Sequence, residues 1–150
     1  MAAMVHAGMS DKQSDHLNLP PLSDEIVVYR AVRSNSWFHP ETGDVLDLAF
    51  YLREDNEKGI SVNYNCEAEE VEKAQKTCYG VVSLEVGNIH RADERLVVKP
   101  VPRINALDHA EIRGMPHKED DEDLAKYFAD LLAGISNTVF QRKYKRKDLS

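Results

Sequence analysis

The sequence predicts an α+β fold: one domain with a mostly antiparallel sheet of four to six strands, two or three helices, and the last helix packed on the sheet. Three observations lead there. Strand-like runs alternate apolar and polar residues, which suits antiparallel pairing with one half-covered face better than a parallel sheet buried on both sides. One stretch near the end repeats its apolar residues at helical spacing. Finally, 150 residues at 42% hydrophobic composition suffice for one core and leave too little chain for a second independent one.

Leu19-Pro20-Pro21-Leu22-Ser23 holds the chain extended, because consecutive prolines cannot enter a helix interior, so residues 1–25 read as a disordered or extended leader. The first strand runs from Ile26 to Val32, with Ile26, Val28, Arg30 and Val32 alternating onto one face. Turn formers around Trp37 and Phe38, from Ser34 to Asp44, mark a structured loop. Val45 to Leu52 is apolar enough to be buried as either a strand or a helical turn. After the charged turn Glu54 to Gly59, Ile60 to Tyr64 is a short strand, and Asn65 to Cys78 is a helix whose early acids (Glu67, Glu69, Glu70, Glu72) suit the positive end of the helix dipole. Tyr79 to Ile89 and Arg95 to Val101 read as strands, the second an edge or terminus because of Pro100 and Pro102. Ala106 to Arg113 is one more strand, broken at Gly114-Met115-Pro116. The acidic run Glu119 to Asp123 then opens the clearest helix, with Leu124, Phe128, Leu131, Leu132 and Ile135 on its stripe. The ordered domain is expected over residues 26–135, followed by a basic tail over 136–150.

Charge is segregated. Residues 141–150 hold five cations (Arg142, Lys143, Lys145, Arg146, Lys147) and one acid, a local +4 that leaves −11 on the remainder of a chain whose net charge is −7. Such a body is unsuited to general nucleic-acid or membrane-surface binding, so nucleic acid is expected only at the tail, and electrostatic docking of a protein partner is its better use. Two cysteines, Cys66 and Cys78, without Cys-x-x-Cys spacing do not make a disulfide framework or a zinc site, and no metal ligand set is expected. No run approaches the roughly 18 apolar residues of a membrane helix. A cytoplasmic protein is the resulting expectation.

The groups that carry chemistry sit inside strand-like runs, where an ionisable side chain needs a partner or a task. Arg30 lies among aliphatics and suits bidentate binding of phosphate or carboxylate, although a buried ion pair would also account for it. His109 and Glu111, two apart on one strand, project to the same face and can reach one ligand. Trp37 and Phe38 can stack a ring, or simply pack under their loop. Ser61 is ordinary by itself. Phosphate-binding glycine loops, the dinucleotide glycine fingerprint, the zinc-protease helix motif and the serine nucleophile elbow are all missing from the sequence.

The order Arg30, Ser61, Glu111 resembles the arginine, serine, glutamate order of ADP-ribosyltransferase folds. The resemblance implies that Arg30 binds NAD, Ser61 steadies the nicotinamide ribose, and Glu111 orients the acceptor or stabilises the oxocarbenium-like transition state. Ile60-Ser61-Val62 stands where that family has Ser-Thr-Ser, and His109 where it has an acid or glutamine. More broadly, the blocks Tyr29-Arg30-Ala31-Val32, Trp37, Gly59-Ile60-Ser61-Val62 and His109 to Gly114 are similar to small, functionally uncharacterised bacterial proteins over about residues 26 to 135, which implies a compact standalone domain. Missing enzyme signatures and segregated charge favour an accessory or regulatory module of a bacterial system that docks a larger protein partner and needs no cofactor. The alternative is an NAD-consuming transferase or hydrolase on Arg30, Ser61, His109 and Glu111. A third reading is metal-independent RNA cleavage by His39 and His109 as an acid–base pair.

Overall fold

The computed structural model describes residues 19–74 and 77–142. Its elements are β1 (Val27–Val32), β2 (Gly59–Tyr64), α1 (Ala68–Ala74), β3 (Gly80–Glu85), α2 (Val86–Ala92), β4 (Val97–Pro100), β5 (His109–Arg113), α3 (Glu122–Ile135) and β6 (Asn137–Gln141), with 3-10 turns at Asn35–Trp37 and Asp47–Phe50. The six strands form one antiparallel sheet in the order β4-β5-β2-β1-β3-β6. The predicted α+β class, with one sheet and the last helix against it, is the fold observed.

Alternation sorts the sheet into two faces. Val28 and Val32 of β1, Ile60 and Val62 of β2, Val82 and Leu84 of β3, Val98 of β4, and Ala110 and Ile112 of β5 are buried in the main core. Over them lies the apolar stripe of α3 (Ala125, Phe128, Ala129, Leu132), joined by Ala49 and Phe50 from the second 3-10 turn. Asp121 caps α3, accepting from the Leu124 N–H at 3.0 Å. The opposite face is covered only in part: Val71 of α1 packs with Cys78, Val81, Tyr29 and Ala31. The rest of that face, over β2 and β5, carries Ser61, Asn63, His109 and Glu111.

Three stretches differ from the sequence reading, and a fourth takes one of the two options it left open. Val86–Ala92 is a helix, not the continuation of a strand; Val86 and Ile89 are both buried at a spacing of three, and the amides of Val86 and Gly87 bond back to Ile26 and Asp24 at 2.9 Å, which turns the chain off the sheet. Val45 to Leu52 takes the helical-turn option at Asp47–Phe50. Residues 103–106 form a tight turn, so β5 starts only at His109. The domain also runs past Ile135, because β6 pairs with β3 from Asn137 to Gln141 and Phe140 packs on the smaller cluster. An exposed edge strand has no regular buried face, so nothing in its sequence alternates. Within the leader, Leu22 docks against β4 through an amide bond to Val98 at 2.9 Å. Residues 1–18 of that leader, and Lys143 to Ser150 of the tail, lie outside the described residues.

Candidate functional site

Beta-strands 1 and 2 pair only at Val28–Tyr64 and Tyr29–Asn63. Beyond that point they part, and the side chain of Arg30 fills the opening. Its Nε donates to the carbonyl of Ala49 at 2.7 Å and its Nη1 to the carbonyl of Ser61 at 2.8 Å, with the guanidinium 5.9 Å from the centre of the Phe50 ring. Among the described residues, no carboxylate forms an ion pair with it. Burial pushes its pKa down to about 10, with the neighbouring charges of Arg53 and Arg33 acting the same way and Glu57 opposing them. Nη2 makes no hydrogen bond to a described residue, and Arg30 lines a cleft of about 520 Å³.

That cleft gathers four arginines, Arg30, Arg33, Arg53 and Arg103, against two glutamates, Glu54 and Glu57. Burial also lowers the pKa of Arg53, whose guanidinium stacks 4.3 Å from the centre of the Trp37 ring. Arg103 comes from the turn between β4 and β5, and its Nε is buried without a hydrogen-bond partner among the described residues. A concave surface with excess guanidinium charge and an indole in its wall suits a ligand that carries both phosphate and a planar ring.

Ser61 and His109 meet in the same cleft. The register sets Asn63 opposite His109 and Ser61 opposite Glu111, which brings the imidazole beside the serine. His109 Nδ1 lies 2.9 Å from the carbonyl oxygen of Val101, and Nε2 lies 3.1 Å from Ser61 Oγ. A carbonyl can only accept, so Nδ1 carries the proton, Nε2 presents its lone pair, and the Ser61 hydroxyl donates to it.

Glu111 lies across the strand pair from Ser61, but it is buried and does not line the cleft. Arg113 holds Oε1 through Nε and Nη2, both at 2.9 Å, while Arg103 Nη2 stands 3.7 Å from Oε2. Of the two aromatics, Trp37 lines the cleft; Phe38 is 3% exposed and belongs to the core. His39 is not brought to His109: it sits in its own loop, where Nδ1 accepts from the amides of Glu41 and Thr42 at 3.2 and 3.3 Å. Arg142 is tied down, its amide bonded to the Tyr79 carbonyl and its side chain 3.3 Å from Glu72. Lys143, Lys145, Arg146 and Lys147 lie outside the described residues.

The residues that sequence reasoning did not single out are Arg33, Arg53 and Arg103. Each follows an apolar or proline-marked segment, Ala31-Val32, Tyr51-Leu52 and Val101-Pro102, where the chain leaves the core and its next side chain meets the cleft. Among the described residues, no cluster of three or more His, Cys, Asp or Glu side chains is placed to hold a metal ion, and no helix is long and apolar enough to cross a membrane. Comparison with protein families, curated proteins and solved structures finds no match.

Proposed function

We propose that the protein is an enzyme that consumes NAD, breaking the bond between nicotinamide and ribose as ADP-ribosyltransferases and NAD hydrolases do. The observation that supports this reading is the convergence of Arg30 and Ser61 in one arginine-rich cleft with Trp37 in its wall and Glu111 directly across from Ser61. Arg30, Arg33 and Arg103 are the groups to hold the pyrophosphate, by charge-assisted bonds from N–H groups without a partner among the described residues. Trp37 stacks a ring, Ser61 bonds the ribose, and Glu111 supplies negative charge to the anomeric carbon as the glycosidic bond opens. In the present arrangement Glu111 is shared by two arginines, and a pyrophosphate that draws Arg103 toward itself leaves the carboxylate with Arg113 alone.

The accessory-module reading rests on the missing enzyme signatures and on segregated charge, with the basic tail at one end. The one tail cation among the described residues, Arg142, is engaged by Glu72, so the cleft is the more specific feature. The deciding experiment uses the full chain and NAD. Trp37 is the chain's single tryptophan, so its fluorescence reports the cleft directly. Saturable quenching by NAD, with nicotinamide release detected by chromatography and abolished by Glu111→Gln, is the expected result. Absence of both quenching and release at millimolar NAD refutes the proposal, and capture of a protein partner by that same inert chain would favour the docking module.

A further inference from the structure

Ser61 and His109 do more in this arrangement than bond a ribose. The imidazole is 5% exposed and sits behind Ser61, whose hydroxyl lines the cleft. Its tautomer is set by the Val101 carbonyl, its lone pair is aimed at Ser61 Oγ, and the serine hydrogen is therefore committed inward. Ser61 Oγ thus has lone pairs left to accept a hydrogen bond from a group in the cleft.

We infer that Ser61 and His109 form a proton relay that activates an oxygen nucleophile, so that ADP-ribose passes to water or to a hydroxyl group; the inference rests on the NAD-consuming reading above. The electrostatics of the cleft select this acceptor class. A guanidinium or ammonium acceptor would enter against four arginines and only two glutamates. A carboxylate or phosphate acceptor has no proton to lose and would need no base. A neutral O–H acceptor is attracted to neither extreme and does need one.

The step balances as follows. The bond from the anomeric carbon to the nicotinamide nitrogen breaks, and its electron pair leaves with the nitrogen, which turns the cationic pyridinium into neutral nicotinamide. The acceptor oxygen forms the new bond to the anomeric carbon. Its proton passes to Ser61 Oγ as the serine proton passes to His109 Nε2, and the imidazolium later returns a proton to solvent. Charged groups near the relay are Arg30 behind the Ser61 carbonyl, Arg103 from the β4–β5 turn, Glu111 on the same face of β5, and Lys99 paired opposite Glu111.

The test measures nicotinamide release against pH, together with NAD binding by Trp37 fluorescence, for the wild type, His109→Gln and Ser61→Ala. Glutamine keeps hydrogen-bonding groups at the site but cannot take up a proton. The expected result is release slowed about 100-fold or more in both variants, NAD affinity nearly unchanged in His109→Gln but weakened in Ser61→Ala by the loss of its bond to the ribose, and loss in His109→Gln of the acidic limb that the wild-type rate shows as His109 protonates. Release undiminished in His109→Gln, or an acidic limb that survives it, overturns the relay alone. A wild type that neither binds NAD nor releases nicotinamide overturns the NAD-consuming reading and takes the relay with it. Should His109→Gln fail to fold, nitrogen NMR of the wild-type imidazole decides: an Nε2-protonated tautomer at neutral pH refutes the relay.

Discussion

Replacing Arg30 with methionine separates a structural arginine from a ligand-binding one. The substitution removes the donors to the Ala49 and Ser61 carbonyls, at 2.7 and 2.8 Å, in the opening between β1 and β2. Each carbonyl left without a partner costs about 1–3 kcal/mol, so the loss is about 2–6 kcal/mol. Against it stands the desolvation of the guanidinium itself. Burial lowers its pKa from the ordinary guanidinium value to about 10, which corresponds to about 3 kcal/mol opposing the fold. That cost holds throughout the neutral range, since the group is charged in both folded and unfolded chains, and it is relieved only as the pH rises through about 10. The two effects largely cancel, leaving a net destabilisation of about 1 kcal/mol and a Tm lower by roughly 3 °C. NAD binding has no such compensation. Loss of one charge-assisted contact to phosphate removes about 1.5–3 kcal/mol, weakening binding about 10- to 150-fold. Thermal melting by circular dichroism and a Trp37 fluorescence titration give both quantities. A fall in Tm beyond about 10 °C would show that Arg30 serves the fold first, and unchanged NAD affinity would refute its place in the site.

Asp93 accepts from the Arg95 side chain and amide and from the Tyr127 hydroxyl, which hold its carboxyl far below the usual carboxylate range. Its contribution is therefore present above about pH 4 and lost as the pH falls through its lowered folded value, so Asp93→Asn should flatten the acid limb of a stability-against-pH curve; an unaltered limb would contradict this. Gly114 has φ +118, and a Cβ there would lie 2.1 Å from the Arg95 carbonyl oxygen, so Gly114→Ala should lower stability in urea by about 3 kcal/mol or more. A change within about 1 kcal/mol would mean that the turn yields. Removing residues 143–150 should leave Tm unchanged, whereas removing 137–150 strips β6 from β3 and should lower stability on the order of 3 kcal/mol. Equal melting of the two truncations would show that β6 contributes nothing.

The sheet was legible wherever a strand has one face in the core. Ile60 and Val62, and Ala110 and Ile112, are apolar on alternate positions because the residues between them face away from α3, while Val28 and Val32 share their face with Arg30. Legibility failed where that physical cause is missing. Val86 continues the alternation of Val82 and Leu84, and the segment Val86 to Ile89, with polar Asn88 partly exposed inside it, is too short for its period to distinguish strand from helix. The residues of β6 are mostly exposed, so pairing through backbone bonds alone leaves no mark on side-chain type.

The site divides along the same line. Arg30 is conspicuous in sequence because a charge on an aliphatic strand face demands an account, and His109 with Glu111 because two polar groups share one face of a buried strand. What joins them is register, which the residues themselves do not encode. A slip of β5 by one residue against β2 would turn His109 and Glu111 into the main core and leave Ser61 without a partner. Gly59 helps hold the observed register, since a Cβ there would lie 2.7 Å from the Ile112 carbonyl oxygen, and only glycine lets β5 approach β2 this closely. The arginines around the cleft were invisible for a different reason. Arg33, Arg53 and Arg103 stand where three separate segments leave the core, and only the opening of β1 from β2 makes those exits converge. Arg30 therefore has two consequences at once: it fills the opening by bonding the Ser61 carbonyl, which strand pairing would otherwise use, together with the Ala49 carbonyl of the 3-10 turn, and it brings a positive charge that Glu57 only partly offsets to the floor of the space so created. A fold that required only the first would be served by a neutral donor such as glutamine. The second is what an anionic ligand uses.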